Sequence, residues 1–216
     1  MNNNQVKPTR KGEIALNILG VSLASIAFLA SISHLFIPTE ILSSSLFLLF
    51  TSLSGLAIIF YVFYFAKENR DKALYGLIGF SIFEGLSLAS LLSIHADLGS
   101  HVLTAVFITS GLIFFGYKHA LNSDIEYSKF SKYLFPALIL LIALYILSIF
   151  ISMPPAFLIG LSIFGGIIFF MYLLVDTQTL LRDENYYSPE IIAIILLIDI
   201  LGLFKHVLYF LDGLDD

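Results

Sequence analysis

Seven apolar runs, free or nearly free of charge, alternate with short polar breaks along the chain. They cover about 14–37, 41–66, 73–95, 99–117, 133–153, 154–181 and 189–211. Each reaches or approaches the ~20 residues that a helix needs to cross ~30 Å of hydrocarbon. The runs 135–151 and 191–198 are apolar on every side, whereas barrel strands alternate with period two over about 10 residues. The pattern predicts an all-α polytopic membrane protein, a seven-transmembrane helix bundle over 14–212. A cytoplasmic segment 1–13 precedes it and a short acidic tail 212–216 follows. The first run exceeds the ~7–15 apolar residues of a signal peptide and six more follow, so it reads as a retained helix.

The breaks are short: Pro38-Thr39-Glu40, Ala96-Asp97-Leu98 and Met153-Pro154-Pro155 join neighbouring spans, and the longest polar stretch is 118–132. No internal repeat suggests an inverted-repeat transporter. Composition agrees with lipid as the main solvent: 58% of residues are hydrophobic and 12% charged, about half the charge of a water-facing domain. The chain has no cysteine, which excludes a disulfide framework, a thiolate metal site and a cysteine nucleophile. Net charge is -5 and the basic cluster at Lys7, Arg10 and Lys11 is short, so no nucleic-acid partner is expected.

The positions of the charges set the topology. All 11 Lys and Arg except Lys205 fall at the N-terminus or in the loops after spans two, four and six. The positive-inside rule then predicts a cytoplasmic N-terminus and, after seven crossings, an outside C-terminus.

Glu84, Asp176, Asp199 and Lys205 fall inside predicted spans. A mid-bilayer charge costs at least ~2.5–3.5 kcal/mol, so these four are candidate functional residues. Glu84 lies near the middle of span three, facing the bundle or hydrogen-bonded to a neighbouring helix. Lys205 snorkels toward the outer surface or pairs with an acid. Asp176 and Asp199 flank the single hairpin of spans six and seven, where adjacent antiparallel helices can bring their carboxyls together. Two carboxylates in one low-dielectric site do not both ionise easily, so such a pair exchanges a proton as a unit. It is a proton-sensitive switch or a cation-binding element; the alternative is two acids capped separately, by hydroxyls such as Thr177 or by backbone.

Val175-Asp176-Thr177-Gln178, followed by Ile198-Asp199-Ile200-Leu201-Gly202-Leu203-Phe204, resembles the transmembrane Bax inhibitor motif (Bax inhibitor-1-like) family. The last two helices of that family carry an Asp-Thr-Gln and an Asp-Phe-Ile-Asn-Leu-Phe signature. Glu84-Gly85-Leu86-Ser87-Leu88 and Phe115-Gly116-Tyr117 are similar to further segments of it, and the likeness runs from span three to span seven. It implies a prokaryotic-type member in a bacterial plasma membrane, with six helices around the last one. It also implies that Asp176 and Asp199 form a pH-sensitive pair gating a calcium leak, with Lys67, or alternatively Arg70, as a basic latch for the first aspartate. Gly202 and Tyr209 stand where the family has Asn and Arg, so any role of those groups is lost or moved to Lys205 and His206.

A passive calcium leak is the leading expectation. Hard cations take oxygen ligands, and Asp176, Asp199 and Glu84 supply carboxylates for transient binding without a dense cage. Calcium is the expected permeant ligand, with no cofactor; the expected partners are the bilayer, calcium and protons. A proton-coupled cation exchanger using the same carboxylates is the alternative. A retinal protein fits less well, because Asp199 and Lys205 are about 240° apart around their helix. No enzyme is expected: His34, His95, His101, His119 and His206 are scattered and no Gly-x-Ser-x-Gly elbow is present.

Overall fold

The computed structural model describes residues 8–65, 69–94, 99–151, 153–182 and 187–214. Lys7, Lys67, His95, Asp97, Asp215 and Asp216 lie outside the described residues. The elements run α1 Arg10–Phe36, α2 Thr39–Leu42, α3 Ser45–Phe65, α4 Arg70–Ile94, α5 Gly99–Asn122, a 3-10 turn Tyr127–Phe130, α6 Ser131–Phe150, α7 Pro155–Arg182 and α8 Pro189–Asp212.

Six of these helices are long and apolar enough to cross a membrane. The second predicted run is carried by α3, whose 21 residues rise about 31 Å, close to the thickness of a bilayer core. Large apolar side chains such as Phe28, Phe60, Phe107 and Phe150 stand exposed along the helices, the pattern of an outer surface solvated by lipid rather than water. The chain is thus an all-α polytopic membrane protein.

Helix ends depart from the predicted runs for local reasons. Helix α1 begins at Arg10, so Arg10, Lys11 and Glu13 form its first turn rather than part of a separate segment. The second run is broken after Leu42: Ser44 Oγ donates to Ile41 O at 2.8 Å and accepts from Phe47 N–H at 3.3 Å, capping α3 as a serine does at a helix start. Helix α5 continues past 117 to Asn122, because a helix leaving the membrane tolerates Lys118 and His119 on its last turn. Helices α7 and α8 both open on a proline, whose missing N–H costs nothing at a first helical position.

The chain divides into two compact units. One comprises 10–98 and 184–197. Here α4 packs against α1 and α3. The buried stripe of α1 is built from small residues, including Gly12, Ala15, Ser22, Ala30 and Ser33. Gly85 of α4 lies so close to α1 that a Cβ there would come within 2.8 Å of Leu29 Cβ. Such close backbone approach is how membrane helices gain dispersion contact without a hydrophobic driving force. Ser90 Oγ donates to Leu42 O, and His34 Nδ1 lies 3.1 Å from Ser93 Oγ.

The other unit comprises 1–9, 99–183 and 198–216. Here α7 packs against α5, α6 and the 3-10 turn, with Leu141, Leu161 and Ile168 in one core cluster and Tyr127, Leu134, Leu174 and Val175 in another. Helix α8 contributes to both units. It is the most enclosed candidate span, 72% of its most apolar stretch being buried against at most 56% in any other.

Candidate functional site

Asp176 lies on α7 near its C-terminal end, and Asp199 lies mid-way along α8. Their carboxyl groups lie close enough to interact directly. Asp199 is 4% exposed, and its Oδ2 is buried with no hydrogen-bond partner among the described residues. A hydrogen bond between two carboxyls requires a proton on one of them, and two bare carboxylates at that separation repel. Two acids so placed can share a proton or, when both are ionised, attract a cation. Tyr172, one turn before Asp176, lies within electrostatic range of both. The neighbouring residues Leu173, Leu174 and Val175 on α7 and Ile200 and Leu203 on α8 are also buried.

Further along the same two helices the contacts are close. A Cβ on Gly202 would sit 2.4 Å from the Phe169 ring, and one on Gly165 would sit 2.2 Å from the His206 imidazole. Each ring fills the space that a side chain at the opposing glycine would take. The position of the family signature's Asn is thus occupied by the ring of Phe169.

The remaining predicted residues are placed differently. Glu84 is half-buried on α4, with Oε1 3.8 Å from where a Cβ of Gly55 would stand. Lys205 is half-buried on α8, one residue before His206. Among the described residues no three of His, Asp or Glu gather closely enough to hold a metal ion. Glu84 lies beside α3 in the unit 10–98 and 184–197, whereas Asp176 and Asp199 belong to the other unit. Arg70 is also engaged elsewhere than expected: its Nε donates to Glu190 Oε1 at 2.7 Å. Glu190 sits in the first turn of α8, where the helix dipole favours a carboxylate, and that buried acid holds the guanidinium. Lys67, the other latch candidate, lies outside the described residues.

Gln178 is the site neighbour that sequence reasoning passed over. Its Oε1 accepts from Tyr127 N–H at 2.7 Å, and its Nε2 donates to Ile125 O at 2.8 Å and to Ala120 O at 3.4 Å. One buried amide thus ties the end of α5 and the 123–127 loop to α7, two residues from Asp176. The same end of α7 holds Thr9, whose N–H donates to Leu181 O at 2.9 Å, satisfying a carbonyl that a helix terminus leaves unpaired. The sequence signals for this clamp are a polar amide inside an apolar run and its place in the Asp-Thr-Gln motif, neither of which shows its partners.

Comparison with known proteins agrees with the succession of motifs. The family model described as "Inhibitor of apoptosis-promoting Bax1" matches residues 15–216. A Golgi anti-apoptotic protein of vaccinia virus (strain Lister) is 31% identical over 147 residues, which cover 68% of this chain and 60% of the viral protein. An uncharacterized protein of Campylobacter jejuni is 27% identical over 90% of this chain and 82% of its own length. Bax inhibitor 1 of Schizosaccharomyces pombe is 28% identical over 63% of this chain and 51% of its own. The matched segment thus spans 60% of the viral relative and about half of the yeast one. With the family model covering nearly all of the chain, this protein belongs to the Bax inhibitor-1-like family.

Proposed function

We propose that this protein is a pH-sensitive leak for calcium, gated by the Asp176–Asp199 pair. One observation carries the reading: two carboxyls close enough to interact directly on the facing sides of α7 and α8, with Asp199 Oδ2 buried and without a hydrogen-bond partner among the described residues. A buried oxygen of this kind costs about 1–3 kcal/mol if nothing ever occupies it. A proton between the acids lowers that cost and holds α7 to α8. Loss of the proton leaves two charges that repel each other and draw a hard cation. The open arrangement, with two acids rather than a cage, suits passage better than retention.

Orientation follows from the charges: Lys and Arg cluster on the side of the N-terminus, which we place in the cytoplasm of a bacterial plasma membrane, with the C-terminus outside. Lys118 over the Phe114 ring and Lys132 over the Tyr133 ring, at 4.6 and 4.9 Å, fit that same interface. The proposed activity is transport rather than catalysis and uses no cofactor.

The test is calcium influx into vesicles that contain the purified protein and a calcium dye. Asp176→Asn and Asp199→Asn should each change the rate several-fold. Unchanged rates in both variants would sink the proposal. Uphill calcium movement under an imposed proton gradient would point to an exchanger instead.

A further inference from the structure

Helices α7 and α8 face each other with one residue per turn. Gly165, Phe169, Tyr172 and Asp176 on α7 oppose Asp199, Gly202 and His206 on α8, the three- and four-residue spacings of a single helix face. His206 lies two turns from Asp199, about 10 Å along the helix.

A second polar level surrounds His206. Ser162 Oγ donates to Leu158 O at 3.0 Å and lies near the Tyr145 hydroxyl. Tyr145 Oη lies 3.1 Å from His206 Nδ1, so the hydroxyl and the ring nitrogen share one hydrogen bond. His206 and Ser162 also line a cavity of about 320 Å3 whose other walls, including Ile167, Phe170 and Leu203, are apolar.

Between this level and the aspartates with Tyr172 stands the ring of Phe169. Phe169 lies flush on Gly202, and its centroid is 5.5 Å from that of His206. We propose that Phe169, seated in the slot left by Gly202, is the apolar constriction of the cation path, and that it separates the aspartate pair from a second polar station formed by His206, Tyr145 and Ser162. An apolar constriction blocks ions by excluding their water. The station beyond it offers two hydroxyl groups and an imidazole, polar groups that can hydrogen-bond a water of a hydrated cation. The inference rests on the leak reading of the aspartate pair.

Two readouts separate the two ideas. In calcium-dye vesicles of phosphatidylcholine and phosphatidylglycerol, Phe169→Ala should raise influx roughly tenfold over the parent, by removing the dewetted segment. Phe169→Leu, which keeps more of the packing, should give a smaller rise and serves if the alanine variant fails to elute as a folded species. Flux at the parent level in a folded variant, while Asp199→Asn still alters it, would overturn the constriction and leave the leak intact. If no aspartate variant alters flux, the leak reading fails by itself and accessibility decides the barrier. The chain has no cysteine, so His206→Cys is a single reporter for a water-soluble thiol reagent supplied from the face nearer the aspartates. Faster labelling in the Phe169→Ala background supports the constriction; equal rates overturn it.

Discussion

Replacing Gln178 with leucine tests the polar clamp next to the aspartates. Leucine keeps much of the volume and removes both polar atoms, so Tyr127 N–H and Ile125 O lose partners at 2.7 and 2.8 Å. Gln178 is 8% and Tyr127 5% exposed, which leaves water little room to replace the side chain. Each hydrogen bond is worth about 0.5–1.5 kcal/mol net, and a buried group left unpaired costs about 1–3 kcal/mol. Two such losses, softened by movement of the loop toward the interface, total about 2–4 kcal/mol. The 3.4 Å bond to Ala120 O adds little. The readout is amide hydrogen exchange at Tyr127 in detergent. At 1.4 kcal/mol per factor of ten, exchange should quicken roughly 30-fold or more. Gln178→Glu, which keeps the acceptor and loses the donor, should fall between. Exchange in the leucine variant within about threefold of the parent would refute the clamp, because a lost pair of buried bonds cannot cost so little.

Other consequences follow from single contacts. Gly85→Ala should lower the thermal midpoint, since its methyl would meet Leu29 Cβ at 2.8 Å and force α1 from α4; overpacking of this kind costs about 1–3 kcal/mol. Arg70→Gln should destabilise the start of α8 by leaving Glu190, with a side chain 3% exposed, without its cation. Adding Glu190→Gln should recover part of that loss, and a double variant no more stable than Arg70→Gln would argue against the pairing. At the interface, Lys129 at 2.8 Å holds the Glu126 carboxyl below its ordinary range. Its contribution is therefore present above the unfolded carboxylate range and disappears as pH falls through the folded value. Protection of the 123–127 amides, corrected for the intrinsic pH dependence of exchange, should fall at acid pH in the parent, and that response should be absent in Glu126→Gln.

The sequence made the helices legible because lipid forbids unpaired backbone and charge, so each span appears as a run without either. The break after Leu42 was hidden because Ser43, Ser44 and Ser45 interrupt neither hydropathy nor charge, and only the cap formed by Ser44 reveals it. Asp176 and Asp199 stood out for the opposite reason: an acid in an apolar run is costly enough to demand an explanation. Gln178 carries no charge and gave a weaker signal, although it organises more backbone than either aspartate. Arg70 was legible as a basic residue at a membrane edge, but its partner was not, since Glu190 reads as an ordinary first-turn acid until its burial is seen. Phe169 and Gly202 were unreadable, being one of 21 phenylalanines and one of 14 glycines whose importance lies only in facing each other.

The proposed mechanism stands on the proton shared by the two aspartates. Its most direct measurement is the pH profile of calcium influx into vesicles, from about pH 6 to about pH 8, for the parent and for Asp176→Asn. The account predicts a rate that changes with pH in the parent and a flat profile in the variant. A parent profile that is flat, or an Asp176→Asn profile that follows the parent, would contradict it.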